Sequence, residues 1–358
     1  QMVMYADIVL KHPEILDQIP RDIIMNDWHY EPVDRYESLD TIRNYGFEIL
    51  VLPGMNNWHK IFPTMAAATT NIRHFNQEAA RRGALGSLTC TWGDDGSKNL
   101  RELLYYGYAY GAETSWSPET ADLASFGDRF FTLWNGPGTA EELRAIYALL
   151  EKWPWNRPIL DYFKHPFLPP SPAADAAAKF STEELHANRV LEDARVAEAL
   201  ALEVRDTAVR RKGDADYLVY AAGMHENYAK GRLLVRDLQR HEAELAAGTA
   251  PDRQAEFLAR LEEVRDQTAA LKDQFEELWL RTNVPANLEY ALGEYDMLVA
   301  SWDEAIARVR AGKYAWDPNT PAQWTHHPDA TSEAPVKTAC FRKSFAVPAG
   351  VQRAHLQV

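Results

Sequence analysis

Aromatic and acidic side chains follow four short apolar runs near the N-terminus, and these residue types suit the recognition of sugars. The flat ring of a Trp or Tyr packs against the apolar C–H face of a sugar, and carboxylates and amides hydrogen-bond its hydroxyl groups. The pattern is sharpest where "ALGSLTCT" ends in "WGDDG". The candidate substrate-binding residues are Tyr5, Asp7, Trp28, Tyr30, Asn57, Trp58, Trp92, Asp94 and Asp95.

The order of the elements around these residues predicts a parallel sheet covered by helices. Apolar runs lie at 2–6, 22–27, 47–52 and 84–91, and a helical pattern follows each of them. Near-continuous apolar strands that alternate with helices are typical of such a sheet. Both a β/α barrel and an open doubly wound sheet fit this alternation. No Gly-rich phosphate loop follows any of the runs, which disfavours the dinucleotide-binding form of the open sheet.

A barrel would bring the candidate residues together. All of its strands end on one face, and that face carries the active site of β/α barrels. Each candidate residue lies at or just after the end of an apolar run. We therefore expect the aromatic and acidic residues to form one wall of a pocket. Packing alone remains the alternative for any single tryptophan, but it explains the same pattern after four consecutive runs less well.

The composition of the chain predicts three regions. Residues 1–165 carry the strand–helix alternation, and a Pro-rich and then Ala-rich stretch marks a boundary near 165–180. Residues 181–315 show long helical patterns joined by short turns, which predicts a helical bundle. Residues 333–358 alternate like strands and are interpreted as the first strands of a β-sandwich. Because the chain begins and ends in strand-like runs, we expect a fragment of a longer protein.

The charge and the motif content exclude several kinds of partner and site. A formal net charge of -14 argues against binding to nucleic acid or to an anionic membrane. No run is long and apolar enough to span a membrane. The two cysteines, Cys90 and Cys340, do not form a metal-site spacing, and no Gly-x-Ser-x-Gly elbow is present. We therefore expect no metal, no cofactor and no serine or cysteine nucleophile.

Four segments resemble the second half of the catalytic barrel of family 20 glycoside hydrolases, the β-N-acetylhexosaminidase-like enzymes. They are "DIVLKHPEILDQIPRDIIMNDWHYEP", "GFEILVLPGMNNWHKIFPT", "NIRHFNQEAARRGALGSLTCTWGDDG" and "YYGYAYGAETSW". The resemblance covers residues 1–117 and implies strands five to eight of a (β/α)8 TIM-type barrel. The helical region resembles helical appendages of such enzymes. The tail "FRKSFAVP" is similar to carbohydrate-binding β-sandwich modules of bacterial glycosidases, which implies an extracytoplasmic setting.

The resemblance also implies roles for individual residues. Trp28 and Trp92 match the indoles that wall the sugar and its acetamido group. Asp94 matches an acid, more often Glu in the family, that accepts hydrogen bonds from sugar hydroxyls. Where the family usually supplies a Tyr for the acetamido oxygen, this chain has "PGMNNW", with Asn57 and Trp58. This departure leaves a sugar without an acetamido group as an alternative substrate.

The activity that the resemblance implies is retaining hydrolysis of terminal β-linked N-acetylhexosamine. In that family the substrate's own acetamido oxygen attacks the anomeric carbon, and a Glu protonates the leaving oxygen. The Asp–Glu pair for this reaction would precede Gln1, so we assign no catalytic residue and expect this chain alone to be inactive. The alternatives are a non-catalytic carbohydrate-binding barrel with a helical interaction domain, and a glycosidase for sugars without an acetamido group.

Overall fold

The computed structural model describes residues 1–93, 99–152, 162–167, 183–249 and 251–316. These residues belong to one compact unit, which extends over Gln1–Trp316. They are mostly helical, with a small parallel sheet in the N-terminal part. The β-sandwich predicted for residues 333–358 lies outside the described residues, as do Asp94 and Asp95.

Four parallel strands form one sheet whose spatial order follows the sequence. The strands are β1 (Val3–Tyr5), β2 (Ile24–His29), β3 (Ile49–Pro53) and β4 (Gly86–Ser87). The segments between them contain α1 (Asp7–Lys11), a 3-10 helix (Pro13–Gln18), α2 (Glu37–Asn44) and α3 (Met65–Arg81). Parallel neighbours need a crossover connection, and helices supply it here. The predicted parallel sheet with intervening helices is therefore confirmed.

One face of the sheet packs against the helices. Met25 of β2 pairs in register with Ile49 of β3. These two side chains and Val51 are buried together with Leu39 of α2 and Phe75 of α3. Successive side chains of a strand point to opposite faces, so Met25, Ile49 and Val51 share this apolar layer. Burial of these side chains against α2 and α3 fixes the register of the strands.

The opposite face of the sheet is only partly covered. Val3 and Tyr5 lie on this face beside Ile24 and Asn26, their register partners in β2. Val3 is 48% exposed and Tyr5 is 51% exposed, and Leu88, just after β4, is 50% exposed. Exposed apolar side chains on the first strand and just after the last strand mean that this face is open at both sides of the sheet.

Two helices next to the sheet are each followed by a glycine. Gly46 follows α2 with a φ of +80°, and Gly83 follows α3 with a φ of +67°. This left-handed conformation is costly for a residue with a Cβ and is typical of the glycine that ends a helix. Each glycine turns the chain into the next strand, so these positions help to set where β3 and β4 begin.

The rest of the described chain is helical. A 3-10 turn (Arg101–Leu104) leads into α4 (Tyr105–Trp116), α5 (Leu123–Trp134), α6 (Ala140–Glu151), α7 (Glu183–Thr207), α8 (Ala215–Ala246), α9 (Gln254–Leu280) and α10 (Leu288–Arg310). Helices α7 and α8 pack along each other, as do α9 and α10. The helical structure predicted for residues 181–315 is confirmed where the structure describes it. None of the helices that the structure describes is long and apolar enough to cross a membrane.

A continuous apolar core joins the helices to the region beside the sheet. It includes Met55 after β3, Ile72 of α3, Phe131 of α5, Leu218 of α8 and Trp302 of α10. The core thus contains residues from both of the ranges predicted as separate domains, 1–165 and 181–315. That division stays a prediction, and unfolding measurements described below test it.

Candidate carbohydrate-binding site

A cleft of about 600 Å³ opens where the strands end. Five aromatic and two acidic residues line it: Tyr5, Asp7, Trp28, Tyr30, Glu31, Trp58 and Trp92. Six of these seven are candidate residues of the sequence pattern, so the structure brings most of the predicted set together. A concave site with aromatic walls and a few polar groups is the usual form of a small-molecule site.

The register of the sheet explains why residues so far apart in sequence meet. Trp28 near the end of β2 lies opposite Leu52 of β3. Gly54, two residues beyond Leu52, pairs with Cys90. Trp92 follows Cys90 at the same spacing of two. Because residues two apart in extended chain point to the same side, the tryptophans reach the same edge of the sheet.

Tyr30 is the centre of the aromatic cluster. Its ring stacks on Trp28, with centroids 4.9 Å apart and an interplanar angle of 27°. The ring of Trp58 lies 4.8 Å from it, tilted by 47°. The Nε1 of Trp92 donates a hydrogen bond of 2.6 Å to the Tyr30 hydroxyl oxygen. One phenol side chain therefore contacts all three indoles of the cleft.

The Tyr30 hydroxyl also lies near the thiol of Cys90. Burial is the main reason that the pKa of Tyr30 lies well above its usual value, and burial also raises the pKa of Cys90. Both groups are consequently neutral at physiological pH. A neutral, partly buried thiol is a poor nucleophile.

Gly54 leaves room for the Tyr30 ring because it has no side chain. A Cβ at residue 54 would lie 2.4 Å from Cδ1 and 3.0 Å from Cε1 of Tyr30. A carbon–carbon contact of that length cannot form, so either the ring or the backbone would have to move. Gly54 is not among the glycines with a positive φ, so its role is close approach rather than backbone freedom.

Substitution of Gly54 by alanine is expected to displace the Tyr30 ring and to lower the free energy of unfolding by about 1–3 kcal/mol, as overpacking typically does. Because Tyr30 contacts the three indoles, the near-ultraviolet circular dichroism spectrum should change as well. Gly293→Ala is the matched control, since a Cβ there would meet nothing within 4 Å. An unchanged spectrum and unchanged stability for Gly54→Ala would contradict the close contact.

Asn57 supports the cleft and does not line it. Its Nδ2 donates to the backbone oxygen of Trp92 at 2.9 Å, and its Oδ1 accepts from the backbone nitrogen of Trp92 at 3.3 Å. The residue is only 4% exposed. Asn57 thus fixes the chain at Trp92, whereas the sequence pattern placed it among the groups that contact substrate.

Glu31 is the lining residue that the sequence pattern did not select. It follows Tyr30 directly and is exposed. Its backbone oxygen accepts hydrogen bonds from Tyr36 and Asn71, which hold this part of the loop against α2 and α3. The available signal was its position next to an aromatic residue after β2, but exposed glutamates are too common for that position alone to indicate a site.

Lys60 is a buried cation behind the loop that carries Trp58. It is 5% exposed, and its Nζ donates to Asn56 Oδ1 at 3.0 Å and to Thr64 Oγ1 at 2.6 Å. Burial lowers the pKa of Lys60 from 10.5 to about 8, and the charge of Glu31 opposes that shift. The ammonium therefore ties the two ends of the loop together at an electrostatic cost.

The stability of the protein is expected to depend on pH through Lys60. Above about pH 8 the folded protein loses this proton, whereas the unfolded chain keeps it to about pH 10.5. The unfolded state then binds more protons, so the free energy of unfolding rises with pH, by roughly 1–2 kcal/mol between pH 8 and pH 9.5. Urea unfolding of the wild type and of Lys60→Met across this range isolates the effect. Parallel pH dependences for the two proteins would contradict it.

Asp27, His29 and Ser38 meet on the helix-facing side of β2. The Nε2 of His29 lies 2.8 Å from Ser38 Oγ and 3.2 Å from an oxygen of Asp27, and Ser38 donates its proton to Asp27. In a catalytic triad, the two partners of the histidine contact different ring nitrogens. Here both contact the same nitrogen, so the cluster fastens β2 to α2 and does not activate the serine.

A second, smaller cavity lies among the helices and measures about 30 Å³. Its lining is largely aromatic and aliphatic and includes Glu102, whose Oε2 accepts no hydrogen bond from a described residue. A space of this size holds one or two water molecules. Across the described ranges, no group of His, Cys, Asp and Glu side chains is arranged to hold a metal ion.

No protein-family model matches this chain, and no curated protein matches it. Among solved structures, the chain is similar to a GH138 glycoside hydrolase described as an enzyme targeting pectin rhamnogalacturonan II, with a TM-score of 0.45 and 12% sequence identity. The alignment covers 86% of this chain and 56% of that structure, so this chain spans little more than half of its length. This remote likeness is to a glycoside hydrolase, and it does not single out family 20.

Proposed function

We propose that this chain forms the sugar-holding wall of a glycoside hydrolase pocket, with terminal β-linked N-acetylhexosamine as the leading substrate. The observation that carries the proposal is the cleft itself, in which Trp28, Tyr30, Trp58 and Trp92 gather beside two carboxylates where parallel strands end. Rings supply the apolar contact and carboxylates supply the hydrogen-bond acceptors that a sugar needs.

The arrangement of the sheet supports a half-barrel as the scaffold. The strands are parallel and follow one another in sequence order, with the helices α2 and α3 packed on one face. A doubly wound sheet reverses its strand order at the ligand site, whereas a β/α barrel does not. The partly open opposite face is the face that would line a barrel interior. We therefore propose that β1 to β4 correspond to strands five to eight of a (β/α)8 barrel.

In the proposed reaction, this wall binds and orients the sugar and does not transfer the proton. The acetamido oxygen of the substrate would attack the anomeric carbon, while an acid from a preceding strand protonates the leaving oxygen. Asp7 and Glu31 line the cleft, and we assign them to binding. Holding the ring in one orientation shortens the approach of the reacting atoms, which is a recognised source of rate enhancement.

Titration of the chain with methyl N-acetyl-β-glucosaminide tests the proposal. A monosaccharide in an open cleft is expected to bind with a Kd on the order of 1 mM, as calorimetry or ligand-observed NMR would measure. Trp92→Ala should weaken binding about 10-fold, or about 1.4 kcal/mol, because it removes one ring of the wall. Trp116→Ala is the control, since Trp116 is 90% exposed on α4. No binding by the wild type would refute the proposal.

Hydrolysis is measured in the same experiment with an aryl N-acetylglucosaminide. We expect no turnover by this chain, because neither lining carboxylate is assigned as the acid. Turnover that is lost in Glu31→Gln or Asp7→Asn would instead make that residue the proton donor and would replace the proposed division of roles.

A glycosidase for sugars without an acetamido group is the second candidate. The observation that favours it is the position of Asn57, whose amide is used on the backbone of Trp92. The loop after β3 thus directs Trp58 into the cleft but no Tyr hydroxyl of the kind that the resemblance implies. Tighter binding of methyl β-glucoside than of its N-acetyl counterpart would support this candidate over the first.

A further inference from the structure

The charged residues that are described in the lining of the cleft are all acidic. Asp7 and Glu31 line it, and none of the described lining residues is Lys, Arg or His. Neither carboxylate forms a hydrogen bond or an ion pair with another side chain in the described part of the protein. No described side chain therefore occupies a hydrogen-bonding position on either carboxylate, although the charge of Lys60 acts on Glu31.

Two basic residues near the strand ends, Lys60 and His29, direct their hydrogen bonds to groups that do not line the cleft. Lys60 interacts with the charge of Glu31, but its Nζ donates to Asn56 and Thr64. His29 directs its Nε2 to Ser38 on the helix-facing side of β2. Neither residue lines the cleft, so a ligand in the cleft meets carboxylates and ring faces.

Ring faces add to the preference that the carboxylates create. The face of an indole or phenol ring carries negative charge density and attracts a cation. The Trp28 and Tyr30 rings are stacked, and Trp58 lies against Tyr30, so the aromatic surface is preorganised. A positively charged group in the cleft would gain from both sources, and a carboxylate would be repelled by both.

Resting on the proposed function, we propose that the cleft selects sugars by charge, with Asp7 and Glu31 as the residues that favour a cationic sugar ring and exclude uronic acids. Neutral sugars, including N-acetylhexosamine, remain ligands. The preference also suits catalysis, because the sugar ring gains positive character in the transition state of glycoside hydrolysis.

Two matched pairs of ligands test this selectivity. 1-Deoxynojirimycin and 1,5-anhydroglucitol have the same hydroxyl groups, but the first carries a protonated ring nitrogen at mildly acidic pH and the second a neutral ring oxygen. Methyl β-glucuronide and methyl β-glucoside differ by one carboxylate. Calorimetry or ligand-observed NMR at low ionic strength gives the four affinities. We expect the cationic ring to bind about 10-fold more tightly than its neutral partner, and the uronide to bind at least about 10-fold more weakly than the glucoside.

Two double variants separate the cleft from the general field of an acidic protein. Because Asp7 and Glu31 are assigned to binding, each preference is compared as the ratio of the two affinities within a ligand pair. Asp7→Asn with Glu31→Gln should reduce both ratios to about 3-fold or less. Glu14→Gln with Asp17→Asn also removes two negative charges, but from side chains of the 3-10 helix that are 69% and 80% exposed. That control should keep both preferences.

The outcomes distinguish this inference from the proposed function. Equal binding of the two members of either pair to the wild type would overturn the charge selectivity while leaving a sugar site. Equal effects of the two double variants would assign the preference to the net charge of -14 and would also overturn it. If none of the four ligands binds, the proposed function fails as well.

Discussion

Replacing Tyr30 with alanine is expected to weaken sugar binding more than the loss of any other ring in the cleft, by about 30-fold, or about 2 kcal/mol. The reason is structural, because Tyr30 stacks on Trp28, contacts Trp58 and accepts the hydrogen bond of Trp92. Its removal deletes one ring of the cleft and also leaves the three indoles without their contacts to that ring. The loss should therefore exceed that of Trp92→Ala, which removes a ring that is already 41% exposed.

Tyr30→Phe separates the two contributions of this side chain. It keeps the stacked ring and removes the oxygen that accepts from Trp92 Nε1. A weakening of about 3-fold to 10-fold is expected, the usual effect of one hydrogen bond. Tyr290→Ala, at a tyrosine that is 68% exposed on α10, is the control for an unrelated ring loss. If Tyr30→Ala binds the sugar as the wild type does while its circular dichroism is native, Tyr30 is not the centre of the site.

The periodicity of the sequence was sufficient to predict the strands and most of the cleft. Apolar runs at 22–27 and 47–52 became β2 (Ile24–His29) and β3 (Ile49–Pro53), because strands buried by helices must be apolar. Parallel pairing then dictates that residues after the strand ends meet. Tyr5, Trp28 and Trp92 were predictable on that basis, since they need only the strand ends and the pairing direction.

The contacts within the cleft were not predictable in the same way. The role of Gly54 depends on a distance of 2.4 Å to a ring from another strand, and the role of Asn57 depends on a backbone that is 35 positions further along. Glu31 lines the cleft because of how the loop after β2 turns. A pattern of residue types carries no information about such distances, which are decided by packing between elements.

The extent of the core was also hidden from the sequence. A change of composition near 165–180 predicted two domains, yet buried side chains on both sides of that stretch belong to one apolar cluster. Amphipathic helices show which face is buried, but they do not show which neighbour buries it. Whether the sheet region and the helical region unfold together must therefore be measured. A substitution of Trp302 provides the test.

Trp302→Ala is expected to lower the free energy of unfolding by about 3–5 kcal/mol, the range for the loss of a large buried aromatic side chain. Trp302 is fully buried in α10, and its ring lies 5.7 Å from that of Phe167 and 6.2 Å from that of Tyr162. Gly231 of α8 lies against both Tyr162 and Trp302, since a Cβ there would come within 3.0 Å of each. Because α8 already packs against both rings, it can move only partly into the cavity that the substitution leaves.

Urea unfolding of this variant, followed by far-ultraviolet circular dichroism and by sugar binding, decides how far the destabilisation extends. The core runs without interruption from Met55 beside the cleft to Trp302. We therefore expect the midpoints of both transitions to shift together to a lower urea concentration, although other elements form the cleft. Trp116→Ala should change the free energy of unfolding by no more than about 0.5 kcal/mol, because an exposed side chain contributes little. A binding transition that stays at the wild-type midpoint would show that residues 1–165 and 181–315 unfold as independent domains, as the composition of the sequence predicts.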